Sequence, residues 1–280
     1  MNIAIVGATG NVGRKVLEVL ERKNLPFSEI YLVASPRSAG SKINFKGKNI
    51  VVENLETFDF SKAKITFFAA GGKISETYAP KAAEHSFVID NSSYFRMDPD
   101  VPLIVPQVNA DDLKNIKKNI IANPNCSTAQ LVLPLKPIHD LFKIKRIVVA
   151  TYQSVSGGGK GPMDELIEQT KLSLENKEIN SKNFTKQISF NLIPHIDVFS
   201  DDGYTKEELK MTNETKKILD PNIELSATCV RVPVLVSHSE AVNLELEKDF
   251  TIDQIRECLE NMEGCKVIDE RKDGGYSTPL

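Results

Sequence analysis

The chain has 280 residues, 41% hydrophobic and 26% charged, a balance that supports packed cores in about two domains and excludes intrinsic disorder. Its 35 basic and 38 acidic residues are mixed along the whole length, so there is no basic stripe to neutralise a nucleic-acid backbone. No apolar run approaches a membrane span and no basic leader precedes the first one, which predicts a cytoplasmic protein with neither membrane nor nucleic-acid partner.

Asn2 to Val6 is a short apolar run leading into Gly7-Ala8-Thr9-Gly10-Asn11-Val12-Gly13, after which Val12, Val16, Val19 and Leu20 recur with helical period. Strand, glycine loop and helix in that order let main-chain N–H groups approach a pyrophosphate at a helix N-terminus. The G-x-x-G-x-x-G spacing differs from the G-x-G-x-x-G dinucleotide fingerprint, and a tight turn in another α/β protein is the plainer reading of the motif alone. A second strand, Ile30 to Ala34, ends in Ser35-Pro36-Arg37-Ser38, where an NAD enzyme places an acidic residue for the ribose hydroxyls. Arg37 with Ser35 and Ser38 suits a 2′-phosphate instead and predicts NADP; a solvated loop charge is the alternative. Further strands are expected at Ile50–Val52, Ile65–Ala70 and Phe87–Asp90. The run Ile65–Ala70 reads as buried on both faces, and Gly71 after it is expected near the cofactor.

In the second half Ile120-Ile121-Ala122 runs into Asn123-Pro124-Asn125-Cys126-Ser127-Thr128, with Leu131, Leu135 and Ile138 then falling on one helical face. Cys126 is placed at a helix N-terminus, where the dipole and free N–H groups favour a thiolate. Pro134 and Pro137 are expected to kink or shorten that helix. The four cysteines lack C-x-x-C spacing, so neither a metal site nor a disulfide framework is expected. Thr205-Lys206-Glu207-Glu208 reads as a capping box, with Glu207 and Lys210 three apart on one helix face; on spacing alone they are a surface ion pair. Val230, Val232, Val234 and Val236 read as one face of a strand, leaving Arg231 on the other with Cys229, Pro233 and Leu235. A guanidinium there needs an anionic partner. Arg231 and His238 are an odd number apart, so the chain must turn or bulge near Ser237 for both to reach one site.

These motifs, in this order, resemble the aspartate-semialdehyde dehydrogenase family over essentially all 280 residues. Asn123–Thr128 is similar to its nucleophile motif, Gly7–Gly13 to its N-terminal loop and Asp90-Asn91-Ser92-Ser93-Tyr94-Phe95-Arg96 to its phosphate-site segment. Thr151–Gly157 resembles the strand carrying a glutamine beside the nucleophile. Ser226–Val234 and Ser237-His238-Ser239-Glu240 resemble the segments with the substrate arginine and the catalytic histidine.

The resemblance implies an α/β protein with a Rossmann-type doubly wound NADP-binding domain over residues 1–124. An α+β catalytic and dimerisation domain with a largely antiparallel sheet would follow over 125–280, in a homodimer or homotetramer. It implies that Cys126 attacks aspartate 4-semialdehyde, that hydride passes to NADP from the hemithioacetal, and that phosphate releases 4-aspartyl phosphate from the thioester. This is chemistry of lysine and diaminopimelate, threonine and methionine biosynthesis. By the same resemblance His238 is the general acid/base and Gln153 orients the acyl group. Arg231 holds the substrate carboxylate and Glu207 its ammonium, while Lys210, Arg96 and Asn125 hold phosphate. Gly7, Thr9, Gly10, Asn11, Val12, Gly13, Ser35, Arg37, Ser38, Gly71, Ser156 and Gly157 contact the cofactor. Family members continue past a segment like Gly275–Leu280 with more of the catalytic domain and a returning helix, expected to be missing here. The competing readings are an N-acetyl-glutamyl-phosphate reductase, whose acylated substrate would have no use for Glu207, and a non-catalytic nucleotide-binding remnant.

Overall fold

The computed structural model describes residues 1–280, and the chain divides into two compact units, Met1–Pro124 and Asn125–Leu280.

The first unit runs β1 (Ile3–Val6), α1 (Asn11–Lys23), β2 (Ile30–Ala34), β3 (Lys42–Phe45), β4 (Lys48–Asn54), β5 (Ile65–Phe68), α2 (Gly72–Ala83), β6 (Phe87–Asp90), α3 (Pro106–Asn109) and β7 (Ile120–Ala122). The strands form one sheet in the order β3-β4-β2-β1-β5-β6-β7, parallel throughout except for the antiparallel β3–β4 edge pair. Strand order therefore reverses beside β1, between the crossing to β2 and the return to β5. That is the switch point at which open α/β sheets bind nucleotides. Ile3, Ile5, Leu32 and Val52 of the sheet pack with Leu17 and Leu20 of α1, because apolar residues three apart share a helix face.

One local expectation needs correction here, and one strand was not anticipated. β5 stops at Phe68 and alternates, with Thr66 and Phe68 buried but Ile65 and Phe67 only partly so; its two faces are covered unequally. Ala69 lies beyond the strand, although its N–H still donates to the Val6 carbonyl at 2.8 Å. The edge strand β3, which the sequence reading passed over, is joined to β4 by the two-residue turn Lys46-Gly47, both at positive φ (48° and 78°), the geometry of a tight hairpin.

The second unit contains α4 (Cys126–Phe142), β8 (Ile144–Gln153), α5 (Lys160–Leu174), α6 (Lys206–Ile218), β9 (Glu224–Arg231), β10 (His238–Leu246) and α7 (Ile252–Glu260). Its three-stranded sheet has the order β10-β8-β9 and is mixed: β8 pairs antiparallel with β10 and parallel with β9. Leu131, Leu135, Ile138 and Phe142 of α4 are buried against Ile147 and Val149 of β8 and Met211 of α6.

That burial explains why α4 is not shortened at Pro134 or Pro137, which lie inside a 17-residue helix. Each proline removes one helical hydrogen bond, but apolar contact on the buried face of the next turns holds the helix together. The valine run is a further correction. β9 ends at Arg231, because Pro233 has no N–H to give a ladder. Val232–Val236 instead lies outside the strand, where the Val234 and Leu235 carbonyls accept from the N–H groups of Val155 and Ser156 at 2.9 and 3.1 Å. The capping box opening α6 is present: Thr205 N–H donates to the Glu208 carboxylate at 2.8 Å, and Glu208 N–H to the Thr205 hydroxyl.

Candidate active site

Strand register builds the centre of the site in the second unit. His238 lies directly opposite Gln153, and Gln153 directly opposite Arg231, so the three side chains form one row across β10, β8 and β9. Directly paired residues share a sheet face. Gln153 is 1% exposed and Arg231 9%. The next row on that face is Glu240, Thr151 and Cys229. The chain reverses between Arg231 and His238, and Ser237 takes a left-handed φ of 74°; this turn brings two residues an odd number apart into one row.

Cys126 reaches the row from α4, of which it is the first residue. Asn125 is the N-cap, its side-chain oxygen accepting from the N–H groups of Ser127 and Thr128 at 2.9 and 3.4 Å. Two carboxylates of α6 fix this cap. Glu207 accepts from the Asn125 side-chain amide at 2.9 Å, and Glu214 from the Asn125 main-chain N–H at 2.6 Å. Residues seven apart lie on one helix face, and both carboxylates are buried. Lys210 donates to Glu207 at 3.2 Å and to Asp197 at 2.8 Å. Burial pulls the Lys210 ammonium down, but these two carboxylates outweigh it and hold it above the usual lysine range.

His238 Nε2 stands 3.2 Å from Cys126 Sγ. Its Nδ1 accepts from the Ser154 main-chain N–H at 2.9 Å. Burial and the nearby Arg231 guanidinium push His238 below its ordinary value, against the opposing Ser237 carbonyl and Glu207. Cys126 keeps an exposed face, yet protein crowds the rest of its sulfur. That crowding and the Glu207 carboxylate raise its thiol above the ordinary value, opposed by the Ser127 N–H and Arg231. The Ser127 N–H at the helix terminus acts in the anticipated direction, toward thiolate, while burial and Glu207 act against it. Arg231 donates from Nη1 to the Ser154 carbonyl at 2.6 Å, and burial lowers its pKa. A Cβ on Gly157 would lie 3.1 Å from that same nitrogen, so the glycine leaves room for the guanidinium. Ser156 Oγ is 3.0 Å from Ser154 Oγ. Cys229 is buried and its thiol is pushed up to about 12 by desolvation, which makes it a structural thiol.

Sequence reading missed Glu214 and Ser154. The spacing of Glu207 and Glu214 on one helix face was the available signal for the first. Ser154 acts through its main chain and leaves no residue-type signature.

In the first unit, the Gly7–Gly13 loop follows β1 at the switch point. A Cβ on Gly7 (φ 85°) would meet the Ala69 carbonyl oxygen at 2.6 Å, and one on Gly13 would meet the Gly7 carbonyl oxygen at 2.3 Å. Both glycines therefore permit close packing of strand, loop and helix, while Gly10, Asn11 and Val12 remain exposed at the start of α1, with Thr9 half-buried. This arrangement fits a dinucleotide: main-chain N–H groups at a helix N-terminus with no side chain at Gly10 in the way. Ser35–Ser38 forms a turn at the carboxyl end of β2, closed by Ser38 N–H to Ser35 carbonyl at 2.9 Å, with Arg37 exposed. Gly71 caps α2 at φ 88°. Arg96 is buried and donates to the Asn123 and Asn91 carbonyls at 2.8 and 3.1 Å, tying the loops after β6 and β7 together.

The family profile described as "Semialdehyde dehydrogenase, NAD binding domain" matches residues 2–116, and "Semialdehyde dehydrogenase, dimerisation domain" matches residues 135–280. An aspartate-semialdehyde dehydrogenase from Aquifex aeolicus is 52% identical, the match covering 99% of this chain and 83% of that protein. The chain belongs to the aspartate-semialdehyde dehydrogenase family. The Campylobacter jejuni aspartate-semialdehyde dehydrogenase is 50% identical over the same shares of both chains. A solved aspartate semialdehyde dehydrogenase II from Vibrio cholerae, complexed with ASA, superposes with a TM-score of 0.92 at 50% identity, covering 94% of this chain and 79% of that one. In this aspartate-semialdehyde dehydrogenase family member the nicotinamide-cofactor domain comes first and the dimerisation domain second. Cys126 falls between the two matched ranges. No helix is long and apolar enough to cross a membrane.

Proposed function

We propose that the chain is an NADP-dependent, phosphorylating aspartate-semialdehyde dehydrogenase, interconverting aspartate 4-semialdehyde plus phosphate and 4-aspartyl phosphate through a thioester on Cys126. The observation that carries this reading is the 3.2 Å approach of His238 Nε2 to Cys126 Sγ beside a row of Gln153 and Arg231. Cys126 is the nucleophile, and a thioester retains the acyl activation that phosphate needs to displace it. His238 governs protonation at sulfur and at the hemithioacetal oxygen. Gln153, buried between the two ends of the row, orients the acyl group. Arg231 holds the substrate carboxylate, a match for its fork of donors. Lys210, with Asn125 and Arg96, serves the phosphate. Glu207 takes the substrate ammonium, and its bond to Asn125 links that contact to the cap of the nucleophile helix.

A bound nicotinamide would supply the hydride acceptor for the aldehyde oxidation. The chain's part is to hold it: Gly7, Thr9, Gly10, Asn11, Val12 and Gly13 at the pyrophosphate, Gly71 after β5, and Ser156 and Gly157 toward the nicotinamide. Ser35, Arg37 and Ser38 select the 2′-phosphate of NADP, supported by an exposed guanidinium at the end of β2 where no carboxylate stands. Residues 1–124 form the NADP-binding domain and 125–280 the catalytic and dimerisation domain. Exposed Val148 and Tyr152 on the outward face of β8 support a homodimer or homotetramer, and the protein works in the cytoplasm.

The test is absorbance of reduced nicotinamide when the purified chain receives aspartate semialdehyde and NADP, with and without phosphate. Phosphate-dependent growth is expected. Turnover of N-acetyl-glutamate semialdehyde in preference to the free amino acid would overturn the substrate assignment.

A further inference from the structure

We propose that Asp197 is a positioning residue that sets substrate specificity: it shares the Lys210 ammonium with Glu207, and so keeps that lysine from neutralising the carboxylate that selects an amino-bearing aldehyde. The inference rests on reading Glu207 as the contact for the substrate ammonium.

Glu207 has cations of the chain itself close by. Its Oε1 accepts from the Asn125 side-chain amide at 2.9 Å and its Oε2 from Lys210 at 3.2 Å. Arg231 lies near enough for its charge to act on the same carboxylate. A carboxylate closed into an ion pair with lysine has little attraction left for a second ammonium. Asp197 changes that balance. Its Oδ2 takes Lys210 at 2.8 Å, the shorter of the lysine's two contacts, so Asp197, Lys210 and Glu207 together carry one net negative charge. An arriving ammonium brings the cluster to neutrality. With Asp197 uncharged, Lys210 would close on Glu207 as its sole charged partner, and Arg231 would add repulsion. Solvent screens these charges weakly, since the Glu207 side chain is 8% exposed and that of Lys210 26%.

The chain builds Asp197 into this position. Ile196 before it is buried with Leu131 of α4, Ile147 of β8 and Met211 of α6. The Val198 carbonyl after it accepts from the N–H of Lys206, the first residue of α6, at 2.9 Å. Asp197 itself takes a left-handed φ of 69°, which aspartate and asparagine tolerate better than other side chains with a Cβ. The Val198 N–H donates to Oδ1 at 2.9 Å and leaves Oδ2 to the lysine. Burial raises the Asp197 carboxyl, but Lys210 and the Val198 N–H outweigh it and hold it below its ordinary value.

The test is the burst of reduced nicotinamide that the purified chain gives with NADP in the absence of phosphate, which reads aldehyde oxidation apart from any phosphate contact of Lys210. Second-order burst rates are compared for aspartate 4-semialdehyde and for succinate semialdehyde, the same molecule without its amino group. Asp197→Asn suits the left-handed backbone, keeps the acceptor for Val198 and removes the charge. Its preference for the amino-bearing aldehyde should fall about fivefold or more, while its rate on succinate semialdehyde stays within about twofold of the parent. Equal losses on both aldehydes would reveal a merely structural role and overturn the proposal, as would an unchanged preference. Lys210→Met, alone or combined with Asp197→Asn, should keep the parent's preference or exceed it, because no lysine then closes on Glu207; a fall in either variant would also overturn the proposal. No burst from the parent would sink the dehydrogenase reading itself, whereas a parent burst whose preference survives Asp197→Asn would sink this inference alone.

Discussion

The main-chain N–H of Asn125 donates to the Glu214 carboxylate at 2.6 Å, so the residue just before the nucleophile is held by a helix 89 positions further along the chain. Glu214 is 1% exposed, and removing an acceptor that deep leaves a buried N–H without its partner. Glu214→Leu is expected to destabilise the second unit by about 1–3 kcal/mol and to lower kcat by about tenfold or more through displacement of sulfur. Glu214→Gln, which retains a carbonyl acceptor, should recover most of the rate. Denaturant unfolding and steady-state kinetics on the pair check this; a leucine variant with full kcat would show that Asn125 needs no clamp.

Cys126→Ser should cut phosphate-dependent NADP reduction by more than about 1,000-fold while leaving NADP binding within about twofold, measured by fluorescence titration. Alkylation offers a second check. The Cys126 thiol is raised by crowding and Glu207, and the thiolate is the reactive form. Its iodoacetamide rate should therefore still be climbing above the ordinary thiol range near about pH 8.5. Cys229, near 12, should not react in the folded chain.

Arg37→Ala should weaken NADP about tenfold or more, since a charge-assisted contact to the 2′-phosphate is lost, and leave NAD nearly unchanged. Equal losses for the two cofactors would remove Arg37 from the 2′-phosphate site.

Glu240 has one carboxyl oxygen buried without a hydrogen-bond partner, and desolvation raises its pKa to about 8. The folded value lies above the ordinary glutamate value of about 4.3, so the fold favours the protonated form. Its stability is complete below the ordinary value and is lost as pH rises through 8. Glu240→Gln should thus match the parent at pH 4 and exceed it at pH 9, by an amount on the order of 1–3 kcal/mol. Thermal unfolding across that range checks it, and a difference that does not change with pH would refute it.

The sequence was most legible where a local rule decided the matter. Ile30–Ala34 and Ile120–Ala122 are apolar runs bounded by polar, glycine or proline residues and became strands with those limits. Thr205 announced its helix as a cap, and the Asn123–Thr128 turn marked the start of α4. Tertiary contact decided the rest. Pro134 and Pro137 stay inside α4 because the helix buries Leu131, Leu135 and Phe142. The valines after Arg231 follow strand periodicity, but Pro233 ends the ladder. At the site, the strand-to-helix turn pointed to Cys126 and the apolar strand face to Arg231, while His238 and Gln153 came only with the family resemblance; the structure brings the four together. Their arrangement in a row depends on pairing between strands distant in sequence, and Cys126 and His238 are 112 residues apart. Main-chain partners such as Ser154 N–H were invisible, because every non-proline residue carries one.

The row His238–Gln153–Arg231 has a consequence for how the length of this chain can vary. A one-residue insertion or deletion within β8 would exchange its inward and outward faces, turning Gln153 to the outward face and bringing Tyr152 or Ser154 into the reacting row. The stretch between α5 and α6, by contrast, contains no strand of this sheet. Ile193 of that stretch bridges antiparallel to Arg231, so natural length variation among working versions of the enzyme should collect there away from Ile193 and spare β8.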